Sequence, residues 1–362
     1  MNVSPTEVQQ FQRCKRQWAL TSANGLGLMP RKPVLVLEFG TTIHEALEAH
    51  YAAGKPLLSA YQDRSMELFA KLADNPFFGE VHEEFTKTFA DGREILVEYE
   101  EWYREEDAYW EVICPEVVFS IPIPGTTHGL RGKIDLLVRD RRSGRVWVVD
   151  HKTSKDPYDE RVVAYDFQFR AYVWAARQLW PELNVAGIVV NVLRKMVPRD
   201  PKENKDGSLS QDKGIFTTPH KYVEALKARG LGTKGYEDHL KWLKEQTSRK
   251  FFQRIWEPMS NENIGSFEQV LKTEVMTAGD EWADVLKEPS GLWTVPPTVA
   301  WDCLWFCDVK HICDAMNERA DVDLMIQSTM SEEKYTGHYD EIDVNMDNAQ
   351  EWLAAHQKGG AP

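Results

Sequence analysis

Cysteine is scarce in this 362-residue chain, with five copies, too few for a disulfide framework in so long a sequence. Long apolar runs are missing too: nothing approaches the roughly 20 residues a bilayer crossing needs, and the first residues lack a signal-peptide core. A cytoplasmic protein with no membrane partner is expected. The chain lacks a G-x-x-x-x-G-K-[ST] loop, since Gly230-Leu231-Gly232-Thr233-Lys234-Gly235 does not fit it, and this argues against a built-in nucleotide-driven motor. Net positive charge is absent: the formal charge is −14. From Asp314 onward eleven acids face only Arg319, Lys334 and Lys358, a net −8 that leaves −6 for the body. Such a balance argues against tight nonspecific binding of nucleic acid, but not against chemistry performed on it. No internal repeat is visible.

What is present is globular: 42% hydrophobic and 11% aromatic residues. The most informative stretch is Gly132-Lys133-Ile134-Asp135, followed fifteen residues later by Asp150-His151-Lys152. A polar turn, Asp140 to Gly144, and an apolar run, Val146 to Val149, separate them, which predicts two adjacent strands joined by a hairpin. Asp150 and Lys152 are two apart on an extended chain and leave the same face. Asp135, near the end of the neighbouring strand, can meet them. Two carboxylates and an ammonium form a hard-cation site beside a proton-handling lysine, the equipment of phosphodiester hydrolysis. The competing reading is a surface hairpin with a solvated Asp–Lys pair. Against it, a continuous apolar strand does not usually end in charge without reason, and Gly129 and Gly132 allow close backbone approach beside the first acid.

Ser4-Pro5-Thr6-Glu7 is a capping box with proline at the first helical position, and the helix it opens runs to about Leu20. Further helices are expected from near Thr41 to Gly54, over Leu57–Leu72 and Val81–Trp110, and at about Glu160–Leu179, Lys221–Trp256 and Ser266–Leu286. Strands are expected at Glu116–Ile121, Leu130–Val138, Val146–Lys152 and Ala186–Leu193. Residues Arg194 to Gly214 read as a solvated insertion loop or, given Lys195, Arg199, Lys202, Lys205 and Lys213, a basic flap over a nucleic-acid groove. The expected organisation is one domain over residues 1–313. It has a core at about 112–195, an N-terminal helical part at 4–110, and a C-terminal helical and cysteine-bearing part at 220–313. An acidic tail follows at 314–362, with a short helix candidate at Asp347–His356.

Other candidates are weaker singly. His44 follows Gly40 by four residues in the first turn of its expected helix, where a lone histidine is usually structural. Gln168 and Tyr172 are i and i+4 on one helix face. They form either a polar edge of a packed helix or a phosphate or base contact. Cys303, Cys307 and Cys313 lie within eleven residues. With Cys14 they could ligate zinc or an iron–sulfur cluster, while Cys114 reads as a buried small hydrophobe.

In this order the features resemble the iron–sulfur branch of the PD-(D/E)XK nuclease superfamily. That branch includes RecB-like exonucleases, the nuclease associated with CRISPR adaptation, and related phage proteins. The resemblance spans about Ser4 to Cys313. It implies an α/β fold: a restriction-endonuclease-like mixed sheet with helical elaborations and a cysteine-ligated staple joining the N- and C-terminal regions. It further implies Mg²⁺ or Mn²⁺ held by His44, Asp135, Asp150 and the His151 carbonyl, with Lys152 as the catalytic lysine. Gln168 and Tyr172 would contact DNA, and Cys14, Cys303, Cys307 and Cys313 would ligate a 4Fe–4S cluster, with zinc as the alternative. The sequence departs from the branch in having Asp150 where Glu is commoner, and C-x3-C-x5-C where C-x2-C-x5-C is usual. Glu116 would at most add an outer carboxylate. The implied activity is DNA hydrolysis, exonucleolytic on single strands or ends, in recombination, repair or replication, with a separate helicase or recombination protein as a partner. A non-catalytic DNA-end- or partner-binding relative and a zinc-stapled structural protein are the rival readings.

Overall fold

The computed structural model describes residues 1–286, 291–300, 303, 307–337 and 342–357. A short strand β1 (Asn2–Val3) precedes α1 (Pro5–Arg13), whose capping box forms as the sequence requires: Ser4 Oγ accepts from Glu7 N–H, and the Glu7 carboxylate accepts from Ser4 N–H. The expected single helix breaks at Cys14, which is extended at φ −156° and caps α2 (Lys15–Thr21). Three long helices follow: α3 (Leu35–Ala53), α4 (Leu57–Ala73) and α5 (Phe78–Asp107). Helix α3 starts six residues earlier than expected, which places Gly40 inside it. A Cβ on Gly40 would lie 3.3 Å from Thr153 Oγ1, so the bare glycine lets α3 lie close against the sheet. Left-handed Gly54 ends α3 at φ 63°.

The sheet is a mixed six-stranded one. Strands β2 (Trp110–Pro122), β3 (Gly129–Asp140) and β4 (Val146–Ser154) form an antiparallel meander. The β3–β4 turn is closed by the Asp140 carboxylate, which accepts from Arg142 N–H, Ser143 N–H and Ser143 Oγ–H, with Gly144 at φ 71°. The chain then crosses through α6 (Glu160–Val163) and α7 (Phe167–Leu179) into β5 (Gly187–Arg194), parallel to β4. The break between α6 and α7 is set by Asp166, whose side chain accepts from Phe169 N–H. After α8 (Pro219–Ala228) and α9 (Glu237–Lys250), β6 (Phe252–Pro258) runs antiparallel to β5, and α10 (Asn261–Leu286) follows. Residues 252–256 were expected to be helical. Their aromatic and β-branched side chains instead pack against β5, and α9 stops at Lys250.

The two sheet faces are covered by different helices. On one, Phe169, Val173 and Trp174 of α7 and Phe267 of α10 bury Val148, Val190 and Val192. On the other, Leu47, Tyr61, Phe89 and Tyr99 of α3, α4 and α5 form a second core that reaches Leu193 and Phe252. Residues 146–151 are therefore buried without interruption, as the apolar run required. The 194–214 segment is anchored rather than free: Leu209 is 1% exposed, its N–H donates to Tyr236 Oη, and Tyr222 Oη donates to Ser210 O.

The acidic C-terminal segment also packs inward. Ser120 N–H donates to Val344 O, Trp180 Nε1–H donates to Ala349 O, and Val344 and Leu353 join the core beneath α7. Glu318, Asp321, Asp323, Asp347 and Glu351 face solvent. Leu353→Ala should therefore lower the unfolding free energy by roughly 2–4 kcal/mol in denaturant titrations. A solvated tail would leave it within about 0.5 kcal/mol.

Candidate active site

Strand β3 has β2 along the whole of one edge, while its other edge is shared. Strand β4 pairs with it over Leu136–Arg139 and β1 over Gly129–Leu130. Between them the ladder stops: Leu136 pairs with Val149, and the next residues on the two strands are Asp135 and Asp150. There the Asp135 side chain takes over the role of a backbone acceptor. Its Oδ2 accepts the His151 N–H at 2.8 Å, holding β4 beside β3 while leaving both carboxyl groups in the opening.

The residues singled out in the sequence converge here. His44, in the third turn of α3 rather than the first, brings Nδ1 within 3.3 Å of Asp135 Oδ2. Lys152 Nζ lies 2.7 Å from Asp150 Oδ2 and donates to Gln168 Oε1 at 2.9 Å. Gln168 Nε2 in turn donates to Tyr172 Oη at 3.0 Å. Gly132 is required by this crowding, since a Cβ there would sit 2.8 Å from Phe119 and 3.1 Å from Tyr172. His151, between Asp150 and Lys152, turns its ring to the opposite face, against Tyr51 and Asn191.

Electrostatics separate the two acids. Burial raises the Asp135 carboxyl, but the His44 charge and hydrogen bond, with His151 and Lys152, outweigh it and hold the group well below the usual range. Burial dominates at Asp150 and pushes it up to about 6, despite Lys152 alongside. Burial would lower both His44 and Lys152; Asp135 reverses this for His44, and Asp150 with Asp135 for Lys152, so both end raised. Burial drives His151 down to about 3. The site is thus one firm anion, one acid that takes a proton near neutrality, and a cation able to donate hydrogen bonds.

A divalent cation suits these donors. Asp150 Oδ2 is buried with the Lys152 ammonium 2.7 Å away, and the Asp135 carboxylate nearby raises its pKa further. Two buried carboxylates this close repel each other, and a hard divalent cation would offset that charge. The expected cage is nevertheless not preassembled: among the described residues no three His, Cys, Asp or Glu side chains converge on one point tightly enough to hold an ion. Asp150 is turned to Lys152, and Asp135 to His44 and the His151 amide.

A family model described as the PD-(D/E)XK nuclease superfamily matches residues 2–314. This chain belongs to the PD-(D/E)XK nuclease superfamily. No curated protein matches it. Superfamily members are generally nucleases that use Mg²⁺ or Mn²⁺, and the mixed α/β sheet is consistent with the restriction-endonuclease-like fold. Among the described residues no helix is long and apolar enough to cross a membrane.

Two of the expected contact residues are engaged within the protein. Tyr172 is only 5% exposed, its ring lodged against Phe119, so it offers no face for a base to stack on. Gln168, expected to touch DNA, spends both ends of its amide on Lys152 and Tyr172. The sequence also underrated a flanking acid pair. Glu48, one turn beyond His44 on α3, meets Glu116 and is pushed up to about 7 by burial and by that neighbour. Glu116 pairs with Lys133 at 2.5 Å. The i, i+4 spacing of His44 and Glu48 was the available signal.

The four expected cluster cysteines line one cavity of about 560 Å³, away from the carboxylates, together with Arg16, Lys310 and Asn317. None of the five cysteines is in a disulfide; these four are partly exposed, whereas Cys114 is buried in the β2–β3 core. Their sulfurs accept weak N–H bonds: Cys14 from Gln17 and Thr298, Cys303 from Ala300, and Cys313 from Arg16 at 3.3 Å. They too do not converge on a single-ion geometry.

The raised Asp150 makes a prediction about stability. Its native carboxyl binds a proton more tightly, at about 6, than an unfolded aspartate does. The native state is therefore penalised above that pH, and the penalty fades as pH falls toward the unfolded value near 4. In chelator, the stability of Asp150→Asn relative to wild type should improve by on the order of 1–3 kcal/mol between pH 4 and pH 8, set against a cost at both pH values from leaving Lys152 without that counter-charge. Denaturant titrations at both pH values measure the difference.

Proposed function

We propose that this chain is a divalent-metal-dependent deoxyribonuclease, acting as an exonuclease on single-stranded DNA or DNA ends. The observation that carries this is the opening between β3 and β4, where Asp135 and Asp150 meet with Lys152 aimed between Asp150 and Gln168. Asp135, Asp150, His44 and the His151 carbonyl would hold Mg²⁺ or Mn²⁺. When bound, the cation would polarise the scissile phosphate and lower the pKa of a coordinated water. Lys152 would orient that water or meet negative charge as it develops on the phosphate. Its partners Asp150 and Gln168 fix the ammonium so that this help needs no rearrangement.

With a body of net negative charge, DNA would be held in a short groove rather than on a broad basic face. Tyr165, in the turn between α6 and α7, is 74% exposed, with Val162 at 49%, and would offer a ring face on which a base stacks. Residues 1–313 would act as one nuclease unit, in recombination, repair or replication, with a separate helicase or recombination protein supplying strands.

We place the chain in the iron–sulfur, RecB-like branch, on the four cysteines that share one cavity. The four cysteines lining one cavity support a 4Fe–4S cluster, with a structural zinc as the alternative. The cluster would staple α1 and α2 to the segment around residues 303–313.

Cleavage of end-labelled DNA should need Mg²⁺ or Mn²⁺ and disappear in Asp135→Ala, Asp150→Ala and Lys152→Ala. Cleavage surviving in chelator, or in all three variants, would reject the site; folded wild type that binds DNA without cutting would favour a non-catalytic relative. Tyr165→Ala should weaken single-strand binding by roughly 1–3 kcal/mol. Protein purified without oxygen should be brown, contain iron and sulfide, and keep its colour in Cys114→Ser. One zinc per colourless chain would assign the cavity to a structural zinc instead.

A further inference from the structure

Three side chains at one level of the sheet form a polar line through an otherwise apolar layer. His151 on β4 is in register with Asn191 on β5, and Asn191 with Arg254 on β6. Asn191 is fully buried and the Arg254 side chain only 3% exposed. Asn191 Oδ1 accepts from Arg254 Nε at 3.1 Å, and Asn191 Nδ2 lies 2.8 Å from both His151 Nδ1 and Tyr99 Oη. A guanidinium can only donate. Arg254 therefore fixes the amide with its oxygen toward β6 and its NH₂ toward β4. The His151 Nδ1 must then accept, which leaves the ring proton on Nε2.

The guanidinium is itself clamped. Its Nη1 lies 2.6 Å from Asp107 Oδ1, its Nη2 donates to Tyr99 Oη at 3.1 Å, and its plane lies 3.6 Å from Tyr103 and 4.0 Å from Trp110. Tyr51 donates to Asp107 and stacks on the His151 ring, 5.8 Å between centroids and 5° from parallel. The imidazole is thus held by Asn191 on one side and Tyr51 on another. Its own peptide N–H is the one that Asp135 accepts.

We propose that Asn191 and Arg254 are positioning residues for the cleavage site, fixing through His151 the peptide that joins the two carboxylates. The inference rests on the metal-dependent nuclease reading. A buried cation among aromatics is poor value for stability alone, since apolar side chains of similar size often serve as well. What apolar replacements cannot do is set the polarity of an amide and the tautomer of an imidazole. Partners of this kind, which orient a ligating group without touching the ion, typically matter 10–100-fold for metal affinity.

The test compares wild type with Asn191→Leu, which keeps the branching but not the polarity, and Asn191→Asp, which keeps the shape. Nitrogen-15 spectra of His151 in the metal-free full-length chain report the tautomer. Calorimetric Mn²⁺ titration reports the site without turnover, and DNA cleavage gives kcat and KM. The expected result is an unprotonated Nδ1 in wild type and a changed ring signature in both variants. Mn²⁺ affinity should fall roughly tenfold and kcat with it, while KM for DNA stays within about twofold. Arg254→Lys, which keeps the charge but loses the fixed fork, should shift the His151 signals in the same direction. A protonated Nδ1 in wild type, or unchanged Mn²⁺ affinity in variants with an altered ring, overturns the positioning role and leaves the nuclease standing. Wild type that binds no Mn²⁺ and cuts no DNA removes the reading beneath it.

Discussion

The site depends on one hydrogen bond, from the His151 N–H to Asp135 Oδ2. Two antiparallel strands that part in a protein interior normally leave unpaired amides behind, and those are costly. Here a side chain on β3 supplies the acceptor that its backbone no longer offers. The strands can then separate far enough to admit two carboxylates while β4 stays in place for its parallel pairing with β5. Asp135 is accordingly both a structural acceptor and a charged group of the site, and the fold fixes its position before any substrate arrives.

The charges around this opening are divided by depth and by partner. Asp135 stays an anion because His44 and Lys152 surround it, while burial raises the more deeply buried Asp150 to about 6. Two buried carboxylates side by side repel each other, and a doubly charged ion would relieve that repulsion. Natural proteins tolerate such local instability at functional sites because the surrounding core over-determines it. The aromatic and aliphatic layers on both faces of β4 provide that surplus here.

Much of this was legible in the residues. The hairpin carrying Asp135, Asp150 and Lys152 could be read because a polar turn separates two apolar runs, and the period-two pattern places Asp150 with Lys152. The capping box at Ser4 and the stop at Gly54 were equally direct. Strand β6 was missed because the stretch before it has helical spacing and no glycine or proline marks the switch. The break at Cys14 was missed for the same reason. Gln168 and Tyr172 allowed two readings because an i, i+4 polar pair looks alike on a solvent face and in a core. Asn191 left a faint trace, a lone amide inside the run Gly187–Leu193 whose other side chains are apolar. Its partner Arg254 lies 63 residues away, and only the sheet brings them together.

The order in which the sheet acquires its strands carries a further consequence. β1 seats on the edge of β3, while Val118 of β2 exchanges hydrogen bonds with Asp343, 225 residues further along the chain. The strand pair that presents Asp135 is therefore completed by segments synthesised at widely separated times. Contacts this remote form late, because a long loop must close before they are gained. While the polypeptide is still emerging from the ribosome, the hairpin exists but its platform does not. Residues 343–353, which pack against β2 and the end of α7, are thus the last part of that platform to be made, an order that comes from topology alone.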